Sequence, residues 1–328
     1  MSAPLVDIAG LVIGYDAAAR QVRALDSASL QVREGETLAI VGESGSGKTT
    51  LGMAAGRLLP PEAQLLDGTI TVAGVDVMQA DDAALRRLRR EKLGFVFQNP
   101  STALDPTMRI GRQVALALGG QPGPEAVAAL LARAELGDPE RVLRAFPHEL
   151  SGGMAQRVVI AMAIARAPQL LIADEPTASL DASIREKVMA TLVRLRAESG
   201  ASLVILSHDL RLIGRHADRV AVMYGGRIVE LGAVAQVLQA PVHPYTRALL
   251  AAAAGNEVPG ARLEPIQGTP PMLEGRCEAC AYAPRCTFSV ARCNSERPEA
   301  REVAGRLVVC HRAEEAIATG AMQPQEAR

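Results

Sequence analysis

The first 276 residues of this 328-residue chain hold no cysteine; all five, Cys277, Cys280, Cys286, Cys293 and Cys310, lie in the tail. Cysteine chemistry is therefore confined to one end, and a disulfide framework cannot shape the body of the protein. Aromatic residues are scarce: four Tyr, four Phe and no Trp, so the position of each is informative. The formal net charge is −1, which makes no electrostatic case for a nucleic-acid partner. No apolar run approaches the roughly 20 residues of a membrane-spanning helix. The most apolar helix candidate, 157–166, is too short and has Arg157 and Arg166 at its ends. The N-terminus lacks the charged-then-apolar pattern of a secretory leader. These absences predict a cytosolic protein that reaches a membrane only through a partner.

What the sequence does contain begins with Gly42-Glu43-Ser44-Gly45-Ser46-Gly47-Lys48-Thr49, which fits Gly-x-x-x-x-Gly-Lys-Ser/Thr. Glycines there let successive N–H groups turn inward on a phosphate, and a following helix adds the positive end of its dipole. Lys48 is placed to reach the β/γ-phosphates of a nucleotide, and the Thr49 hydroxyl to hold Mg²⁺. The flanks suit the motif: the apolar, β-prone run Thr37–Val41 precedes it and a helix-compatible segment follows, including Thr50.

A second apolar run, Leu170-Leu171-Ile172-Ala173, ends in Asp174-Glu175. It has the character of a strand buried on both faces of a parallel sheet, whose C-terminal end is where ligands bind in open α/β folds. Asp174 is predicted to hold Mg²⁺ through water and Glu175 to polarise an attacking water. Between the two motifs lies Leu150-Ser151-Gly152-Gly153-Met154-Ala155-Gln156-Arg157. Ser151 can cap a helix there, and Gly152 and Gly153 leave N–H groups open to an anion.

This last motif resembles the signature of the ATP-binding-cassette (ABC) ATPases. In that family the signature binds the γ-phosphate of ATP held by the opposite subunit, which implies in-trans roles for Ser151, Gly152, Gly153 and Met154. Met154 stands where the family usually has Gln; the backbone donors remain. The resemblance extends to further positions. Tyr15, closing an alternating N-terminal strand, matches the aromatic that stacks on adenine. Gln98, in Phe95-Val96-Phe97-Gln98-Asn99-Pro100, matches the Q-loop glutamine that senses Mg²⁺ and the membrane partner. Ser179-Leu180-Asp181 matches the D-loop at the dimer interface, and His208, after the apolar run 203–206, the H-loop histidine on the γ-phosphate. The implied ATP site is Tyr15, Gly42, Ser44, Gly45, Ser46, Gly47, Lys48, Thr49, Thr50, Gln98, Asp174 and His208, with Glu175, His208 and Gln98 catalytic, Asp181 and the signature acting in trans, and Thr49, Gln98 and Asp174 on Mg²⁺.

The implied fold class is α/β: a P-loop ATPase with a mainly parallel core sheet, an antiparallel β subdomain, a helical subdomain at about 80–165 and a cysteine-containing C-terminal extension. Residues 1–36 and 67–77 read as short strands of the antiparallel part. Asp181 is a candidate N-cap for a helix with Ile184, Val188, Leu192 and Leu195 on one face and Gly200 as its stop. Residues 220–230, centred on Gly225-Gly226, read as a hairpin. The expected division is a cassette over 1–240 and a C-terminal domain over 241–328. Pro241-Val242-His243-Pro244-Tyr245 and Gln267-Gly268-Thr269-Pro270-Pro271 resemble the tail of oligopeptide/dipeptide (nickel) importer ATPases. In some members of that family a cysteine pattern like Cys280, Cys286, Cys293 and Cys310 carries a [4Fe–4S] cluster; a zinc site or no metal at all stays open, and Cys277 is an extra.

The resemblance implies an ATP-hydrolysing subunit, with Mg²⁺, that powers import of peptides or a related solute such as nickel. Its implied partners are a second ABC ATPase, paralogous or identical, two integral membrane permease subunits and, indirectly, an extracytoplasmic solute-binding protein. Its implied place is the cytoplasmic face of the inner membrane. The alternatives are a soluble ABC ATPase acting on nucleic acid or ribosomes, which the lack of heptads and basic patches disfavours, and a non-hydrolysing regulatory subunit, which the presence of Glu175 and His208 disfavours.

Overall fold

A computed structural model describes residues 3–17, 20–178, 180–254 and 266–318. The chain opens with two long strands, β1 (Val6–Ala17) and β2 (Arg20–Val32), paired antiparallel. At 12 and 13 residues they are not the short strands the sequence predicts. β3 (Thr37–Val41) then enters a second sheet and leads through the glycine loop into α1 (Lys48–Ala55). The chain returns to the first sheet as β4 (Ala63–Val72), which pairs with β1, and β5 (Val75–Asp76). Ile8, Leu11 and Ile13 of β1 and Leu25 and Leu30 of β2 form the core of this antiparallel layer.

A helix, α2 (Asp82–Glu91), begins at Asp81, whose carboxylate accepts the Ala84 N–H at 2.7 Å, and leads into β6 (Leu93–Val96). The region 80–165 is therefore not wholly helical, as its sequence pattern suggests. β6 pairs with a core strand, and its four residues are too few to show an alternation or a distinct apolar block. The helical layer proper is α3 (Pro100–Ala103), α4 (Ile110–Leu118), α5 (Pro124–Arg133), α6 (Pro139–Arg144) and α7 (Gly152–Ile164). Ile110, Val114, Leu131, Val142 and Val158, all fully buried, hold these helices together.

Next come β7 (Leu170–Asp174), α8 (Ala182–Ser199), β8 (Ser202–Ser207) and α9 (Leu210–His216). Every residue of β3, β7 and β8 is buried, as strands covered on both faces must be. On α8, Val188, Leu192 and Leu195 are fully buried, each stabilising the fold by ~1.5–3 kcal/mol, while Ile184 is only partly covered. Asp181 takes the N-cap position without a side-chain cap bond, and Gly200 ends the helix at φ +69°. The predicted hairpin is β9 (Arg219–Tyr224) and β10 (Arg227–Ala233) around Gly225 and Gly226, at φ +53° and +72°. After it come α10 (Val234–Gln239), α11 (Pro244–Ala254), β11 (Leu273–Glu274), β12 (Arg301–Val303), β13 (Arg306–Val308) and α12 (Ala313–Ala318).

The antiparallel sheet has the order β11-β2-β1-β4-β5 and the larger one β12-β13-β10-β9-β3-β8-β7-β6. From β9 to β6 the larger sheet is parallel, with Val41 opposite Ser207, Leu206 opposite Asp174 and Ala173 opposite Val96. This register brings the residues after β3, β6, β7 and β8 to one edge. The tail contributes β11 to the edge of β2 and β13 to the edge of β10. Among the described residues no helix is long and apolar enough to cross a membrane.

Candidate active site

The loop between β3 and α1 is shaped by glycines that have no substitute. Gly45 and Gly47 lie at φ +78° and +103°. A Cβ on Gly47 would sit 2.5 Å from the Ala24 carbonyl oxygen, and one on Gly42 would sit 2.2 Å from that of Met223. Lys48 Nζ donates to the carbonyls of Gly42 and Glu43 at 2.8 and 2.9 Å. Burial lowers its pKa, against the pull of Glu175, Asp174 and Glu43. Ser46 Oγ is buried without a hydrogen-bond partner. Ser44, Gly45, Gly47, Lys48, Thr49 and Thr50 line a cavity of about 480 Å³, closed by Ala24, Gln98, Glu175 and His208.

Because β7 and β8 are neighbours in register, the residues that follow them meet. His208 Nδ1 lies 2.6 Å from Glu175 Oε2, and this bond raises the histidine pKa. Glu175 sits at φ +46°, a left-handed conformation costing ~1–3 kcal/mol in a residue with a side chain, and its N–H donates to the Leu206 carbonyl at 2.8 Å. The strained backbone thus fixes a carboxylate against the nucleotide cavity. One residue earlier, Asp174 accepts the Thr49 hydroxyl at 3.1 Å. Burial and the charge of Glu175 push the Asp174 pKa up, against Thr49 and Lys48. Two crowded carboxylates beside a hydroxyl form an oxygen-rich donor set that suits a hard divalent cation.

The structure therefore brings Gly42, Ser44, Gly45, Ser46, Gly47, Lys48, Thr49, Thr50, Gln98, Asp174, Glu175 and His208 to one place. Tyr15 does not line the cavity; its hydroxyl is 3.5 Å from Thr50 Oγ1, against the first turn of α1. Ser151, Gly152, Gly153 and Met154 are not part of it either. They form the start of α7, where Ser151 Oγ accepts the Met154 N–H at 3.4 Å and remains exposed. Gly153 packs so closely on α8 that a Cβ would lie 2.6 Å from Ile184 Cγ2. Ser179 lies outside the described residues.

Sequence reasoning missed how the tail holds the phosphate loop. Arg285 makes two bonds to the Glu43 carboxylate, at 2.8 and 3.0 Å, and the Glu43 N–H donates to Tyr245 Oη at 2.8 Å. Tyr224, Tyr245 and Tyr282 pack together beside this pair, with ring centroids 4.5–5.4 Å apart. One signal was available: a glutamate inside an anion-binding loop is a local electrostatic conflict that requires a cation nearby.

Cys280, Cys286, Cys293 and Cys310 do converge, around a cavity of about 20 Å³ that Cys277 does not line. Burial pushes the Cys286 and Cys310 thiols up to about 11 and 12. Yet among the described residues no three His, Cys, Asp or Glu side chains form a group that could hold a metal ion. The [4Fe–4S] expectation thus finds no support beyond the convergence itself.

A phosphate loop, a carboxylate pair at a parallel-sheet edge and a glutamate-bound histidine define a nucleoside-triphosphate-hydrolysing cassette. The family described as "ABC transporter" matches residues 25–178, and "Oligopeptide/dipeptide transporter, C-terminal region" matches 229–293. A Brucella ovis protein named as a peptide import ATP-binding protein is 40% identical, covering 90% of this chain and 93% of its own. The dipeptide transport ATP-binding protein DppD of Haemophilus influenzae is 36% identical over 94% and 95%. The dimeric, post-hydrolysis ATP-binding cassette MJ0796, bound to ADP and phosphate, superposes with a TM-score of 0.63 at 32% identity, covering 70% of this chain and 98% of that one. The chain belongs to the ABC transporter ATP-binding proteins, in the branch that carries the oligopeptide/dipeptide C-terminal region.

Proposed function

We propose that this ABC ATPase powers peptide import, and that its cassette (1–240) and C-terminal domain (241–328) work as one unit on the cytoplasmic face of the membrane. The observation that carries the hydrolytic reading is the Glu175–His208 pair, fixed at 2.6 Å on the wall of the nucleotide cavity. The peptide reading draws on the C-terminal match and on the relatives' names.

In this reading Lys48 leaves the loop carbonyls for the β/γ-phosphates, and the loop N–H groups and the α1 dipole hold the same anion. Thr49 and Asp174, with Gln98, hold Mg²⁺, which supplies charge neutralisation at the phosphates. Glu175 orients the attacking water as general base, and His208, held by Glu175, contacts the γ-phosphate. Tyr15 stacks on adenine. Ser151, Gly152, Gly153, Met154 and Asp181 complete the site of a second cassette, with the exposed start of α7 presenting Ser151 to it. Two cassettes closing over ATP would bias two permease subunits between inward- and outward-facing states, and hydrolysis would reset them. An extracytoplasmic binding protein delivers the cargo. No step runs through the tail thiols.

The test is uptake of labelled dipeptides, oligopeptides and nickel in cells whose only copy of this ATPase carries Glu175→Gln. The expected result is loss of peptide uptake, with ATP still bound by the purified variant and its hydrolysis cut about 10²–10⁴-fold. Hydrolysis at the parent rate removes Glu175 from its role. Peptide uptake that persists while hydrolysis is lost overturns the peptide assignment, and selective loss of nickel uptake replaces it.

A further inference from the structure

A cavity of about 660 Å³, larger than the nucleotide site at about 480 Å³, lies apart from it. It lies at the seam where β2 and β10 meet the tail, and its buried end is built on Asp26, which is 1% exposed. Three guanidiniums converge on this one carboxylate. Arg227 donates Nε at 2.9 Å and also Nη2 to Oδ2, and Arg23 donates Nη1 to Oδ1 at 3.2 Å. Arg297 Nη1 lies 3.8 Å from Oδ2, while its Nη2 donates to the Asp26 carbonyl at 3.1 Å.

Three cations against one anion leave a surplus of two positive charges at the inner end. Burial and repulsion from Arg227 hold the Arg297 pKa below its ordinary value, a mark of cations crowded without enough counter-charge. Arg23 Nε is buried and has no partner. The acidic lining residues Asp67, Glu278 and Glu299 are all exposed, and Glu278 is already paired with Arg276 at 3.0 Å. The negative charge therefore sits toward solvent and the positive surplus inside. Val12, Ile228 and Leu307 add apolar wall, and the volume is that of a small-molecule site. Ser27, also in the lining, is held at φ +66°, the kind of backbone strain that gathers at ligand sites.

We infer that this seam is a second ligand site, for a small oxyanion of the dicarboxylate or phosphate type, held by Arg23, Arg227 and Arg297. The two cavities share a strand: Ala24 of β2 lines the nucleotide cavity, and Arg23 and Asp26 of the same strand line this one.

The experiment is calorimetric titration of the full chain with succinate and, separately, with inorganic phosphate. Saturating Mg·ADP keeps the phosphate loop occupied. One-to-one binding of at least one anion is expected, with at least a tenfold loss of affinity in Arg23→Gln and Arg297→Gln and retention in Arg297→Lys. Succinate alone binding identifies a carboxylate site, phosphate alone a phosphate site. Binding of neither, or equal affinity in the parent and both glutamine variants, overturns the inference. Mg·ADP affinity, measured in the same samples, reports on the nucleotide site independently, so failure of the two readings is distinguishable.

Discussion

Replacing Arg285 with alanine removes the clamp that ties the tail to the phosphate loop, and its cost can be worked from the geometry. The Arg285 side chain is 5% exposed and makes two bonds to Glu43, whose side chain is 22% exposed. It also donates to the carbonyls of Gln267 and Ile266 and to Tyr224 Oη. Breaking a buried ion pair from one side costs about 3–5 kcal/mol, because the partner is left charged and unpaired. Glu43 keeps some contact with water and can relax toward it, so about 2 kcal/mol is the reasonable share of the pair. The single variants Arg285→Ala and Glu43→Ala should each lower the melting temperature, by roughly 4–8 °C at about 2–4 °C per kcal/mol. The double variant should fall short of their sum by ~1–2 kcal/mol in denaturant unfolding, the signature of direct coupling. The Michaelis constant for ATP should rise several-fold in Arg285→Ala, since one of the two loop carbonyls that hold Lys48 belongs to Glu43. If the two single effects add to within about 0.5 kcal/mol, or if ATP affinity is untouched, the clamp does not support the loop and the reasoning fails.

Two further outcomes follow from the site. Gly47→Ala must place a side chain at φ +103° and 2.5 Å from the Ala24 carbonyl, so nucleotide binding, followed by fluorescence of a labelled ATP, should be lost. Normal affinity would show that the loop is not held in this shape. His208 should titrate by NMR above the ordinary histidine value of about 6.5, and Glu175→Gln should bring it back down. Since its folded pKa is raised, the stabilisation from this pair is complete below the unfolded value and is lost as pH rises through the folded one. A His208 resonance unaffected by the substitution would rule the contact out.

How legible the protein was depends on the range over which each feature is encoded. β3, β7 and β8 could be read because a strand buried on both faces is an unbroken apolar run in the sequence itself. The Gly225-Gly226 hairpin could be read because the turn demands positive φ at both positions, which glycine adopts at no steric cost. The phosphate loop and its carboxylates are likewise local motifs. β6 was illegible at four residues, and so were the two- and three-residue strands of the tail, whose existence depends on the partner strand and not on their own pattern. The bond from Arg285 to Glu43 spans 242 positions, and the three-arginine cluster on Asp26 draws on positions 23, 227 and 297. No spacing rule reaches across such separations; only the folded sheet brings these residues together.

The placement of β11 and β13 has a further consequence, for solubility. Without them, β2, at 13 residues, and β10, at seven, would each present an open row of unpaired N–H and C=O groups. Such rows are templates for strand addition from another molecule. The tail interrupts each row, β11 by pairing with Val22 and Arg23 of β2 and β13 by pairing with Glu230 and Leu231 of β10. A chain lacking β11 and β13 would carry longer open borders on both sheets, so the tail acts as a selvedge, the woven margin that keeps them from fraying into other copies of themselves.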